Sequence, residues 1–152
     1  MSQVKRLLRR LGAEDAAQLV EFALVLPMLL LVVLGIAEFG FIFQRYEVVT
    51  NAAREGARMA VLPDPTPGIV ETRVREYMAA GQLSEYGTAT VDVNRSASLT
   101  VNGGAVSASQ VSIDYPFSFI VLQPVARLVA PTTSLGGAVV MHAQALMRNE
   151  TQ

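Results

Sequence analysis

Between Leu19 and Phe43 the chain reads LVEFALVLPMLLLVVLGIAEFGFIF, and no other stretch constrains the fold as strongly. From Phe22 to Phe43 about 22 residues carry one charge, Glu38, and 20 or so apolar residues suffice to cross a hydrocarbon layer of about 30 Å as a helix. Backbone groups in hydrocarbon have only each other as partners, so a helix is close to obligatory for such a segment. Glu21 stands at its opening, and Lys5, Arg6, Arg9 and Arg10 precede it. The run exceeds the 7–15 or so apolar residues of a secretory signal core, and only Leu34-Gly35-Ile36-Ala37 offers a poor cleavage site within it. It therefore reads as an anchor. The basic leader and the short N-terminal side place the N-terminus in the cytoplasm and the long C-terminal part outside, although Arg45, Arg54 and Arg58 follow closely.

The division expected is a basic cytoplasmic leader over residues 1–16, a transmembrane helix over 17–43 and an extracytoplasmic domain over 44–152. The leader, MSQVKRLLRRLG, reads either as a short basic amphipathic turn on an anionic surface or as a charged tail that sets topology. The helix is expected to start near Ala16 and to continue beyond the membrane, about 40 residues and some 60 Å in all, half in lipid and half as the spine of the outer domain. Ile42, Tyr46, Val49, Ala53, Gly56 and Ala60 share one face by their spacing of three and four, and Glu47, Asn51, Arg54 and Arg58 take the other. Toward its end the apolar face thins to Ala and Gly, which lets a sheet or helix approach closely. Pro27 should kink the helix, because its ring removes one hydrogen bond and crowds the carbonyl four residues back.

Pro63-Asp64-Pro65-Thr66-Pro67-Gly68 ends this spine. A second helix is expected over 68–80, capped by Asp64 or Thr66, stopped by Gly81, and buried through Ile69, Val70, Val74, Tyr77 and Met78. From Thr88 the period becomes two. Residues 89–93 and 98–101 read as strands, and Asn102-Gly103-Gly104 as a hairpin turn into a strand over 105–115 that Pro116 ends. Residues 117–130 are apolar but broken by Pro124, and read as a loop or short helix over the sheet, near the lipid surface. Residues 137–147 alternate as a last, mostly covered strand. The fold class expected is α+β: a long N-terminal helix, first transmembrane and then an amphipathic spine, packed on a small antiparallel sheet.

No arrangement of residues speaks for catalysis. The 152 residues contain no cysteine, which removes disulfides, thiol chemistry, a lipoprotein anchor and cysteine metal sites. The net charge of -1 carries no nucleic-acid footprint. His142 is the single histidine and reads as a strand residue. Asp92, Asn94 and Asp114 are not spaced as a calcium loop, and Gly103-Gly104 precedes no helix and so is no phosphate loop. Neither an enzymatic activity, a metal nor a cofactor is expected. Arg54 and Arg58 are interspersed with Glu47 and Glu55, as on a solvated helix face. Two acids remain. Glu38, a secondary intramembrane acid, is placed near the outer end, where headgroups or a partner would meet it; Glu21 is either an interface residue or a partner for a neighbouring subunit.

The stretch from Ala16 to Pro27, AAQLVEFALVLP, resembles the start of the TadE-like family, minor pseudopilins of the tight-adherence (Tad, Flp-type) branch of type IV pilus machines. Asn51-Ala52-Ala53-Arg54-Glu55-Gly56-Ala57-Arg58 is similar to that family's helix ending, and Met147-Arg148-Asn149-Glu150 to its close. The resemblance implies a pilin-like α+β fold. It also implies a non-enzymatic component of pilus assembly and secretion that supports adhesion, held in the bacterial inner membrane with its domain outside. The implied partners are membrane lipid, a sister minor pseudopilin, the major Flp pilin, the Tad inner-membrane platform and a prepilin peptidase. That peptidase would cut between Ala16 and Ala17, leaving Glu21 as the fifth mature residue and the subunit-pairing acid. Ala16 stands where the family has glycine, so an unprocessed anchor is the alternative form. A single-pass anchored binding or adaptor domain unrelated to a filament is the alternative function.

Overall fold

A computed structural model of the chain describes residues 2–63, 65–129, 132 and 137–149. The elements run α1 (Ser2–Ala60), α2 (Pro67–Ala80), β1 (Thr90–Val101), β2 (Gly104–Phe117), α3 (Leu122–Val129) and β3 (Val139–Arg148). The fold is α+β: one helix of 59 residues carries at its C-terminal half a three-stranded antiparallel sheet in the order β1-β2-β3.

The long helix exceeds the expected one. It begins at Ser2 rather than near Ala16 and passes Gly12 and Pro27 without interruption. Intrinsic propensity explains the first extension: a lone glycine costs a helix only about 1 kcal/mol, and the Lys, Arg, Leu and Ala around it are good helix formers. Pro27 leaves the carbonyl of Ala23 without its usual donor four residues on. At the other end Ala60 is the last helical residue, as the proline-rich sequence after it dictates.

The sheet and α2 pack on one side of α1 between Val49 and Ala60. Val49, Ala52, Ala53, Ala57 and Ala60 are completely buried there, against Val70, Val74 and Met78 of α2 and Val111, Ile113, Tyr115 and Phe117 of β2. The expected face is present except for Tyr46, which stays 46% exposed. In α2 the buried stripe is narrower than expected, since Ile69 and Tyr77 face outward. The other face of the sheet is open. Val140, His142, Gln144 and Leu146 are all exposed, so β3 is covered on one side only.

Three local differences have simple causes. The two short strands expected before the hairpin are one strand, β1, with a register shift between Asn94 and Ala97; the side chain of Asn94 closes the bulge by accepting the Ser96 N–H at 2.9 Å. Pro116 does not end the pairing. β1 ends its ladder at Asp114, whereas β2 continues against β3 through Pro116 and Phe117; past Asp114 one side of β2 is an edge, where proline is tolerated. Finally, α2 closes in a Schellman arrangement, with Leu83 N–H on Met78 O (3.2 Å) and Gln82 N–H on Ala79 O (2.9 Å). The left-handed residue is Gln82, at φ 60°, not Gly81 at φ -77°. Gly81 is required for space: a Cβ there would collide with Val48. Thr66 occupies the N-cap position of α2 without a side-chain bond, and Asp64, the other expected cap, lies outside the described residues.

The hairpin turn follows its sequence closely. Asn102 and Gly103 alone separate the paired residues Val101 and Gly104, with φ of 50° and 80°. Both being positive defines a type I′ turn, for which Asn-Gly is the favoured pair because its twist matches the strands.

Candidate functional site

The N-terminal half of α1 is a helix with nothing packed on it among the described residues. From Asp15 to Val33 every residue is exposed except Leu26, which is half-buried. Leu24 and Met28 are 71% and 74% exposed. A soluble surface does not sustain an apolar patch of this extent, and such patches mark contact with lipid or protein. The helix is long and apolar enough to cross a membrane, and none of its most apolar window is buried. Ala16, Ala17 and Glu21 all lie on this stretch, exposed, within unbroken helix. Among the described residues no ion pair or hydrogen bond engages the exposed Glu21 side chain.

The C-terminal half of α1 is built for close approach. A Cβ on Gly56 would stand 2.5 Å from Val74 Cγ2 and 3.2 Å from Val111 Cγ1, so only glycine lets α2 and β2 meet the helix together there. The polar members of the same octapeptide face away. Asn51 accepts from Arg54 at 3.3 Å, and Glu55 accepts from Arg73 of α2 at 3.1 Å. These exposed pairs contribute a few tenths of a kcal/mol each, far less than the packing beneath them.

Glu38 sits at the junction of the two halves and is 2% exposed. Its Oε1 accepts the N–H of Ile120 at 2.7 Å, and its Oε2 accepts those of Val121 at 2.7 Å and Leu122 at 3.2 Å. The chain's own loop thus encloses the carboxylate. Three N–H donors and the positive end of α3 compensate a charge that would otherwise be costly to bury. Beside it Val121 and Leu122 line an apolar cleft with Leu31, Leu34 and Gly35 of α1. Further along α1, the Arg45 guanidinium lies 5.0 Å from the Phe117 ring centre, and Phe117 meets Phe119 edge to face at 5.2 Å.

A second polar node closes the far end. Arg95, in the β1 bulge, donates to Ala60 O at 3.2 Å, Pro65 O at 3.0 Å and Leu62 O at 3.4 Å, and so caps the C-terminus of α1. Asn149, next to the end of β3, receives the Ser109 hydroxyl at 2.7 Å and donates to Ser107 Oγ at 2.7 Å. The closing tetrapeptide therefore has a structural role, because its asparagine ties β3 to β2. Glu150 of that tetrapeptide lies outside the described residues. Sequence reasoning missed Arg95 and the partners of Glu38, because neither has a local signal; the groups they bind lie 30 or more residues away.

The remaining polar residues do not converge. His142 Nδ1 lies 2.6 Å from Asp114 Oδ1, an exposed cross-strand pair of directly opposed residues. Among the described residues no three His, Asp or Glu side chains are grouped as metal ligands.

The family model of TadE-like proteins matches residues 16–58. That interval takes in the apolar helix, Glu21, Glu38 and the small-residue face, and stops two residues before α1 does. It coincides with the stretch whose resemblance to this family is densest. No curated protein and no solved structure matches the chain.

Proposed function

We propose that this chain, TadE-like over residues 16–58, is a structural, non-catalytic minor pseudopilin of a Tad (Flp) pilus apparatus. It is anchored by α1 in the bacterial inner membrane, with its N-terminus cytoplasmic and its sheet outside. The observation that carries this reading is the division of α1: an apolar half left bare over Asp15–Leu30 continues without a break into a half sheathed by a small domain. A subunit of this form presents its bare half first to lipid and later to the helices of neighbours. Its partners would be a sister minor pseudopilin, the major Flp pilin and the Tad inner-membrane platform, and the assembly would support secretion and surface adhesion.

Glu21 supplies the chemistry of subunit pairing. If a prepilin peptidase cuts between Ala16 and Ala17, the new α-amino group stands just ahead of the apolar stretch, where solvation is poor. A carboxylate from a staggered neighbour satisfies it. In low dielectric the attraction is strong and desolvation offsets much of it, but removing one partner strands the other. That loss is worth about 3 kcal/mol, on the order of a hundredfold in the assembly equilibrium. Without cleavage, Glu21 pairs instead with an Arg or Lys of a partner. Cutting at this place also needs local unwinding, because Ala16 and Ala17 are both helical.

The test is Glu21→Ala in the cells that carry the apparatus. Expression and membrane anchoring should persist, since the change makes the segment more apolar. Co-purification with the sister pseudopilin and surface piliation should be lost. Undiminished partner capture and piliation would refute the pairing role.

A further inference from the structure

Resting on the reading of α1 as a membrane-spanning anchor, the geometry points to a second membrane element: the segment Phe119–Val129, comprising the Glu38-bound loop and α3, lies in the acyl region of the outer leaflet.

The argument begins with height along α1. At 1.5 Å per residue Glu38 stands about 25 Å above Glu21, and Leu31 about 15 Å above it. The hydrocarbon layer is about 30 Å thick. With Glu21 at the inner interface, Glu38 falls a few ångströms short of the outer edge, and any tilt draws it deeper. Val121 and Leu122 descend further, to a cleft that includes Leu31. A loop at that depth faces a strict condition: each of its backbone polar groups needs a partner other than water. Glu38 meets this condition for Ile120, Val121 and Leu122, the three consecutive N–H groups at the entry to α3, with its two oxygens. In an aqueous loop these donors would find water, and burying a carboxylate to serve them would gain little.

Composition agrees. Between Phe119 and Val129 the one charged residue is Arg127, which is exposed and in the last turn of α3. There it complements the helix C-terminus and can reach the headgroups along its long stem. Ile120 is 49% exposed, and the two residues after it, Val121 and Leu122, line the apolar cleft against Leu31, Leu34 and Gly35 of α1. The occupant of this surface is therefore lipid acyl chain, continuous with the lipid around the spanning helix. Glu38 fixes the element to α1, and thereby sets how deeply the domain is seated.

The absence of cysteine allows a direct test on the full chain. Ile120→Cys, Leu29→Cys and Thr100→Cys, each labelled with an environment-sensitive fluorophore, are reconstituted separately in phosphatidylcholine vesicles. Quenching by nitroxide lipids (shallow and deep) is compared with quenching by aqueous iodide. The Ile120 label should be quenched several-fold more by the shallow nitroxide than by iodide, the Leu29 label most by the deep nitroxide, and the Thr100 label by iodide alone. Iodide access at Ile120 equal to that at Thr100 would place the segment in water and overturn the proposal, while a deep Leu29 would leave the anchor standing. Protection of Ile120 from both quenchers would mean a protein occupant and would overturn the lipid assignment. An aqueous Leu29 would remove the anchor reading and this inference with it. In the same assay Glu38→Gln, which replaces one acceptor oxygen by a donor, should raise iodide access at Ile120 several-fold and leave Thr100 unchanged. No change at Ile120 would refute the holding role of Glu38.

Discussion

Replacing Gly56 by alanine sets two known effects against each other at a place where the structure says which wins. In an open helix the change stabilises, because alanine is favoured over glycine by about 1 kcal/mol. Here the added carbon would stand 2.5 Å from Val74 Cγ2, where carbon contacts settle near 3.5–4.0 Å. About 1 Å of separation must be found. Val74 cannot supply it by rotation, since a β-branched side chain in a helix has one strongly preferred rotamer, and it is completely buried. Retreat toward β2 is closed by Val111, 3.2 Å from the same new carbon. The helices must part, and overpacking of a tight core costs about 1–3 kcal/mol. With the upper half of that range against the propensity gain, Gly56→Ala should destabilise the domain by roughly 1–2 kcal/mol, a fall of roughly 5–15 °C in Tm. Near-ultraviolet circular dichroism in micelles reads this from the buried Tyr115, free of the helical signal of α1. Gly68→Ala, with open space around its Cβ, is the control and should not lower Tm. Adding Val74→Ala to Gly56→Ala should reveal a coupling of about 1 kcal/mol or more, because the cavity of one absorbs the excess of the other. A Gly56→Ala domain that melts at or above the parent would refute the steric account.

Three further outcomes are expected. Gln82→Gly should stabilise by up to about 1 kcal/mol by relieving a left-handed backbone, whereas Gly81→Ala should destabilise through its clash with Val48; urea unfolding measures both. Arg95→Ala should cost about 1–3 kcal/mol in the same assay by stripping the carbonyls of Ala60, Leu62 and Pro65, and Arg95→Lys should recover only part, since one ammonium cannot reproduce the guanidinium fork. Ala16→Gly should raise the fraction cut before Ala17 in cells with a prepilin peptidase; intact mass measures it, and an unchanged fraction would remove Ala16 as the limiting residue.

The parts of this fold that could be read directly are those governed by neighbours in sequence. Asn102-Gly103 specifies its turn because positive φ is a property of the two residues themselves. The close packing on Ala53, Gly56 and Ala60 was legible because small residues on one helical face leave room that something must fill, whereas the burial of Ala52 and Ala57 beside them came only from the structure. The helix over the apolar run followed from length and from the cost of unpaired backbone. Its start did not, because Gly12 is a weak breaker and the end of a helix turns on small differences in propensity. Pro116 misled for a related reason: whether a strand tolerates proline depends on what lies beside it, and that is set by where β1 ends.

Glu38 separates the two kinds of information most clearly. Its residue type and its place in an apolar helix were enough to mark it as an acid in need of a partner, since a buried charge is costly wherever the chain puts it. Nothing near it named that partner. The donors are the N–H groups of Ile120, Val121 and Leu122, more than 80 residues later, and any backbone carries such groups. Only the return of β2 along α1 brings that stretch down beside Glu38, just as only the bulge at Asn94 turns Arg95 toward the end of α1. Sequence alone determined the helix, the turn, the strand periods and which groups would need satisfying, because these rest on local sterics and on the cost of leaving a group unpaired. The tertiary structure decided who satisfies them, because backbone donors and acceptors are chemically alike and position alone selects among them.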